Sequence, residues 1–167
     1  AWWYMSDRTD ILTVLAEIKK SRSVLNRINT YYSDKFTGDK RLEESTESAI
    51  VLAEVLENYY TCCETIFLRI SQYFENRLSS DEWHKDLLRK MTLEIPEIRP
   101  QVISDESFSD LQELLRFRHF RRYYFELDYD WEKLRTVEKS YVAVSARLEQ
   151  ELDAYERFLV ETAQELE

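Results

Sequence analysis

Apolar side chains recur along this chain at intervals of three, four and seven residues, the spacing that lays a stripe down one side of an α-helix. Between Asp7 and Tyr32 the stripe runs through Ile11, Leu15, Ile18, Leu25, Ile28 and Tyr32, and predicts a long first helix. The segment Ser33 to Arg41, with Gly38 among Asp, Lys and Thr residues, has the composition of an exposed connection. A second helix is expected from near Glu43, because Ala49, Leu52, Ala53, Leu56, Tyr60, Cys63, Phe67, Ile70 and Phe74 keep helical spacing throughout. Asp81 is positioned to cap a shorter helix carrying Trp83, Leu87, Leu88 and Met91, which the stretch holding Pro96 and Pro100 ends. Ser104 or Asp105 opens the next helix, with Phe108, Leu111, Leu114 and Leu115, and Asp128 to Asp130 reads as a turn. From Trp131 onward Leu134, Tyr141, Leu148 and Tyr155 repeat at seven, alongside Leu152, Leu159 and Leu166. This last pattern is long enough to span a bundle.

Four long helices and a shorter inserted one, joined by mostly short connections, predict an all-α antiparallel bundle, read as one domain over residues 1–167. Composition agrees: one Gly and two Pro cannot punctuate many tight turns or short strands. No apolar stretch approaches the roughly 20 residues that cross a bilayer, and the apolar opening Ala1 to Met5 is short and lacks basic flanks, so neither membrane insertion nor secretion is expected. Cys62 and Cys63 are adjacent within a helical pattern and suggest neither a disulfide framework nor a metal knuckle, which fits a cytoplasmic location.

The formal charge of −10 disfavours nonspecific coating of nucleic acid and requires any polyanion site to be local. One such site is present. Arg116, Arg118, His119, Arg121 and Arg122 place four guanidiniums and one of two histidines within seven residues; with their +4 removed, the rest of the chain carries −14. On a helix Arg118 and Arg122 lie four apart and His119 and Arg122 three apart, so an imidazole and two guanidiniums can face one way. Such a group suits a phosphodiester. Metal-free RNA cleavage requires a base for the 2′-hydroxyl, an acid for the leaving oxygen and a cation for the charged transition state, and His with Arg can supply them. Arg118, His119 and Arg122 are therefore the candidate catalytic residues, and Arg116 and Arg121 the candidate substrate-binding ones. One His per chain supplies half of the proton transfer, so a twofold homodimer belongs to this reading. The alternative is that these arginines pair with Glu and Asp of neighbouring helices.

The other candidates carry less. His84, after Trp83 at a helix start, reads as a packed or capping residue. No Glu-x-x-His pair or paired-Cys motif suggests a metal, and with Gly38 as the sole glycine there is neither a phosphate-binding loop nor a nucleophile elbow, so no cofactor is expected. The pairs Tyr31/Tyr32, Tyr59/Tyr60 and Tyr123/Tyr124 are expected to straddle core and surface.

Taken together, Glu57-Asn58-Tyr59-Tyr60 to Glu64, Ile66-Phe67-Leu68-Arg69-Ile70, Trp83-His84-Lys85-Asp86-Leu87-Leu88 and Leu115-Arg116-Phe117-Arg118-His119-Phe120 resemble the HepT-like HEPN family over about residues 45 to 160. The resemblance implies an all-helical, dimeric ribonuclease toxin, neutralised by a partner nucleotidyltransferase of the MNT type that AMPylates it. The family's motif is an Arg, four to six residues, then a His, commonly followed two residues later by the modified Tyr. With Arg118 as the motif arginine, Tyr123 stands where the His is expected and Phe125 where the Tyr is expected. His119 then remains as the imidazole beside Arg118 and Arg122, and Tyr123 and Tyr124 as displaced candidates for AMPylation, which would put a phosphate in the cleft and block RNA. A catalytically degenerate HEPN module that binds RNA, nucleotide or a partner protein through the same helix is the alternative reading.

Overall fold

A computed structural model of the protein describes residues 2–75, 83–123 and 127–166, with side chains for all of these but 2–6, 83–85 and 123. Among the described residues there are five α-helices and no strand: α1 (Trp2–Phe36), α2 (Thr46–Phe74), α3 (Trp83–Lys90), α4 (Asp105–Tyr123) and α5 (Trp131–Glu165), with a single 3-10 turn at Gly38–Lys40. The expected bundle is observed. The α1–α2 connection lies further along the chain than its composition suggests, at 37–45, because α1 continues to Phe36, whose ring is buried, and Gly38 turns the chain at φ 63°. α2 starts at Thr46, three residues later than expected, where Ser45 and Ser48 form a capping box. The Ser45 hydroxyl accepts from the Ser48 N–H at 3.1 Å and the Ser48 hydroxyl from the Ser45 N–H at 2.9 Å. Ser104 caps α4 by accepting from the Ser107 N–H at 3.2 Å, and Asp130 caps α5 through the Glu132 N–H at 2.9 Å. The expected Asp81 cap lies outside the described residues.

Cross-helix contacts fix the topology. Arg22 meets Asp153 while Tyr32 meets Glu138, so α1 and α5 run antiparallel; Glu64 meets Arg118 while Glu57 meets Arg121, so α2 and α4 do too. Ser107 reaches Glu151 and Asp110 reaches Arg147, which makes α4 and α5 antiparallel as well. The four long helices therefore alternate up and down around one ring in the order α1, α2, α4, α5, with α3 against α2 and α4. The stripes read from sequence line its interior: Ile11, Ile18, Leu25, Leu52, Leu56, Phe67, Leu111, Leu114, Tyr141, Leu148 and Leu159 are all buried in one apolar cluster. Tyr31 and Tyr32 straddle core and surface as expected, but Tyr59 and Tyr60 do not. Both are 1 % exposed. Tyr59 packs edge-on against Tyr141 with centroids 4.9 Å apart, and Tyr60 lies under the Arg118 guanidinium, so each ring has an interior partner that outweighs its preference for an edge.

Three charged pairs interrupt this core. Arg118 is held by Glu64; Arg99 is held by Glu75 and by the carbonyls of Lys90, Leu93 and Pro100; and Glu138 takes both guanidinium nitrogens of Arg41, at 2.7 and 3.0 Å, with the Tyr32 hydroxyl at 2.7 Å. Each joins segments distant in sequence, and together they fix how α2, α4, α5 and the proline-containing loop sit against one another.

Candidate functional site

The basic segment occupies the C-terminal half of α4, where guanidiniums also oppose the negative end of the helix dipole. Because successive residues are about 100° apart around a helix, the five side chains diverge. Leu111, Leu114, Phe117 and Arg118 turn inward, whereas Arg116, His119 and Arg122 follow one another at i, i+3 and i+6 along the outer face and are all exposed. His119 thus stands between two arginines, one turn to either side.

Arg118 is placed differently from the other two candidate catalytic residues. It is 3 % exposed and donates to both oxygens of Glu64, at 3.0 and 2.8 Å, and to the Thr61 hydroxyl at 3.3 Å, with its guanidinium 4.8 Å from the centre of the Tyr60 ring. Burial and the adjacent Glu64 carboxylate raise the Tyr60 phenol above its ordinary pKa, so the ring stays neutral beneath the cation. A bidentate, stacked and desolvated arginine is a structural clasp between α4 and α2. The structure therefore brings His119 and Arg122 together on one exposed face and turns Arg118 away from it.

The two candidate substrate-binding arginines also have carboxylate partners. Arg116 is exposed and reaches Glu113 of its own helix at 2.6 Å. Arg121 is half-buried and bridges Glu54 at 2.8 Å and Glu57 at 2.5 Å on α2, while its Nε donates to the Tyr129 hydroxyl at 3.1 Å. Burial opposes the charge on Arg121, yet these bonds outweigh it and raise its pKa; Arg121 in turn holds the Glu54 carboxyl below its usual range against a smaller opposing effect of burial. Pairing with exposed carboxylates of a neighbouring helix is thus realised for Arg121 with Glu54, whereas Arg118 pairs with a buried one.

Beside the outer face, between α4 and the start of α5, opens a cavity of about 420 Å³ whose lining includes Arg116, Phe117, Phe120, Tyr129 and Lys133. Phe120, next to His119, is 46 % exposed. Neither cysteine lines this cavity: the Cys62 thiol donates to the Ser21 carbonyl at 3.2 Å, burial pushes its pKa up to about 11, and burial pushes that of Cys63 up as well. Tyr124 and the side chains of Tyr123 and His84 lie outside the described residues.

An all-helical up-down bundle with a short inserted helix and a basic outer face on its third long helix defines the class of protein. The family model described as HepT-like protein matches residues 51–159, and the chain belongs to that family, the HepT-like HEPN proteins. Comparison with curated proteins and with solved structures finds no match. The matched span runs from α2 well into α5 and contains the whole basic segment. Among the described residues no helix is long and apolar enough to cross a membrane.

Proposed function

We propose that this protein is a HEPN-type toxin module that cleaves RNA without a metal, at a cleft where two copies of the α4 outer face meet. The observation that carries the reading is the exposed series Arg116, His119, Arg122 on a chain that is strongly acidic elsewhere. Neutral His119 of one copy takes the proton of the 2′-hydroxyl, whose oxygen attacks the adjacent phosphorus. Protonated His119 of the second copy gives its proton to the departing 5′-oxygen. The P–O5′ bond breaks, leaving a 2′,3′-cyclic phosphate on one fragment and a 5′-hydroxyl on the other, while Arg122 balances the charge on the non-bridging oxygens. Arg118 acts as a positioning residue: its clasp to Glu64 sets the rotation of α4 that points His119 outward. The family membership supports the remaining parts, a nucleotidyltransferase partner and AMPylation at Tyr123 or Tyr124, which directly follow the basic segment. Incubating total RNA with the purified protein in EDTA tests the core of this: discrete products are expected from the parent and none from His119→Ala, and cleavage that survives that substitution would remove His119 from the mechanism.

One observation favours a second reading, a binding module without turnover. Arg116, Arg118 and Arg121 are all engaged by carboxylates, which lowers the positive potential available to a phosphodiester. Under this reading RNA is retained in a salt-sensitive manner by the parent and is recovered intact.

A further inference from the structure

The cavity between α4 and the start of α5, which Phe120 lines, has a chemistry that the cleavage step does not use. Its volume of about 420 Å³ lies within the range of small-molecule sites. Three of the residues that line it, Phe117, Phe120 and Tyr129, are aromatic. Phe117 and Tyr129 stand with centroids 6.3 Å apart at 46°, and Tyr129 is tethered through its hydroxyl to Arg121, so this part of the wall is already formed. Phe120 is 46 % exposed in a bundle that buries Tyr59 and Tyr60 to 1 %, and it offers the surface on which a planar group can stack. Arg116 and Lys133 bring two cations to the lining and Glu113, Asp128 and Asp130 three carboxylates, Glu113 being the partner of Arg116 at 2.6 Å, and a carboxylate such as Asp128 can accept from the amino group of a base. Aromatic faces beside cations are what a single strand of RNA needs, the base stacking on a ring while its phosphate meets a guanidinium.

We propose that this cavity is a nucleobase subsite, in which an unpaired base of single-stranded RNA stacks on Phe120 while the adjoining phosphate lies along Arg116, His119 and Arg122. Arg116 belongs to both parts, since it lines the cavity and begins the basic series. The subsite rests on the RNA reading of that series and adds to it a preference for unpaired over duplexed RNA, because a base within a helix cannot enter the cavity.

The test uses the full chain and a short single-stranded 2′-O-methyl RNA, which lacks the attacking hydroxyl, carrying 2-aminopurine at its centre, together with the same strand abasic at that position. Binding is expected to quench the 2-aminopurine, and the abasic strand to bind roughly 10-fold more weakly, within the range for one base stacked on an aromatic ring. Phe120→Ala should weaken the base-bearing strand by a similar factor, leave the abasic strand unchanged and abolish the quench, whereas Phe120→Trp should retain it. Equal affinity for the two strands, with no effect of Phe120→Ala, would overturn the subsite and leave the RNA reading standing. No binding of either strand would overturn both.

Discussion

Replacing Arg118 by Ala separates a structural clasp from a surface ion pair by the size of its effect. The substitution removes two bonds to Glu64, one to Thr61 and the stacking over Tyr60, and it strips a bidentate partner from a carboxylate whose side chain is only 10 % exposed. Removing one member of a buried pair costs about 3–5 kcal/mol, because the remaining charge stays desolvated; an exposed pair costs about 0.2–1 kcal/mol. Since Glu64 sits at the edge of the core, the lower end, about 3 kcal/mol, is expected for Arg118→Ala. For a chain of this length that lowers Tm by roughly 6–12 °C. Denaturant unfolding followed by helical circular dichroism, with Arg118→Met, Glu64→Leu and the double variant, completes a cycle. The double variant should recover much of the loss, since a well-packed apolar pair can replace a buried ionic one. A loss below about 1 kcal/mol for Arg118→Ala would refute the clasp and place the pair with ordinary surface pairs.

Two further predictions follow from the charged and thiol groups. The Glu54 carboxyl is held below its ordinary pKa by Arg121, so its contribution to stability is full above its unfolded pKa and is lost as pH falls through the lower, folded one. Thermal melts of the parent and Glu54→Gln should converge as pH is lowered from about 5 toward 3, and parallel curves would show that Arg121 does not stabilise through Glu54. With the Cys62 thiol raised to about 11, alkylation by iodoacetamide at pH 8 should be on the order of 100-fold slower than for a free thiol; a rate equal to that of a free thiol would contradict the buried, carbonyl-bonded placement.

Much of the bundle was legible because its helices obey a single rule, apolar residues at three, four and seven. The rule located α2 and α5 almost to their ends, and Ile11, Ile18, Leu25 and Tyr32 of α1 are buried as their spacing demands. Helix boundaries were less visible: α2 begins where Ser45 and Ser48 cap each other, a reciprocal bond that an apolar stripe does not encode. The basic segment was conspicuous, yet which of its arginines turn inward was not. The signal lay in charged residues occupying stripe positions. Arg118 is four beyond Leu114, Glu64 is four beyond Tyr60, and Glu138 is four beyond Leu134, and each is buried with a partner. A charge on an apolar stripe implies an opposite charge on a facing segment, a helix for Glu64 and Arg118 and the α1–α2 connection for Glu138, but which one depends on how the segments are arranged around the ring. Nor does an apolar stripe show that Phe120 and Tyr129, from α4 and the link that follows it, line one cavity.

The central claim, that the α4 outer face drives attack by a 2′-hydroxyl, is tested most directly with a single-stranded RNA and its all-deoxy counterpart of the same sequence, incubated with the protein in EDTA. The account predicts that the RNA alone is cut and that its fragments carry 2′,3′-cyclic phosphate and 5′-hydroxyl ends. An intact RNA bound by folded protein, or cleavage of both strands, would contradict it.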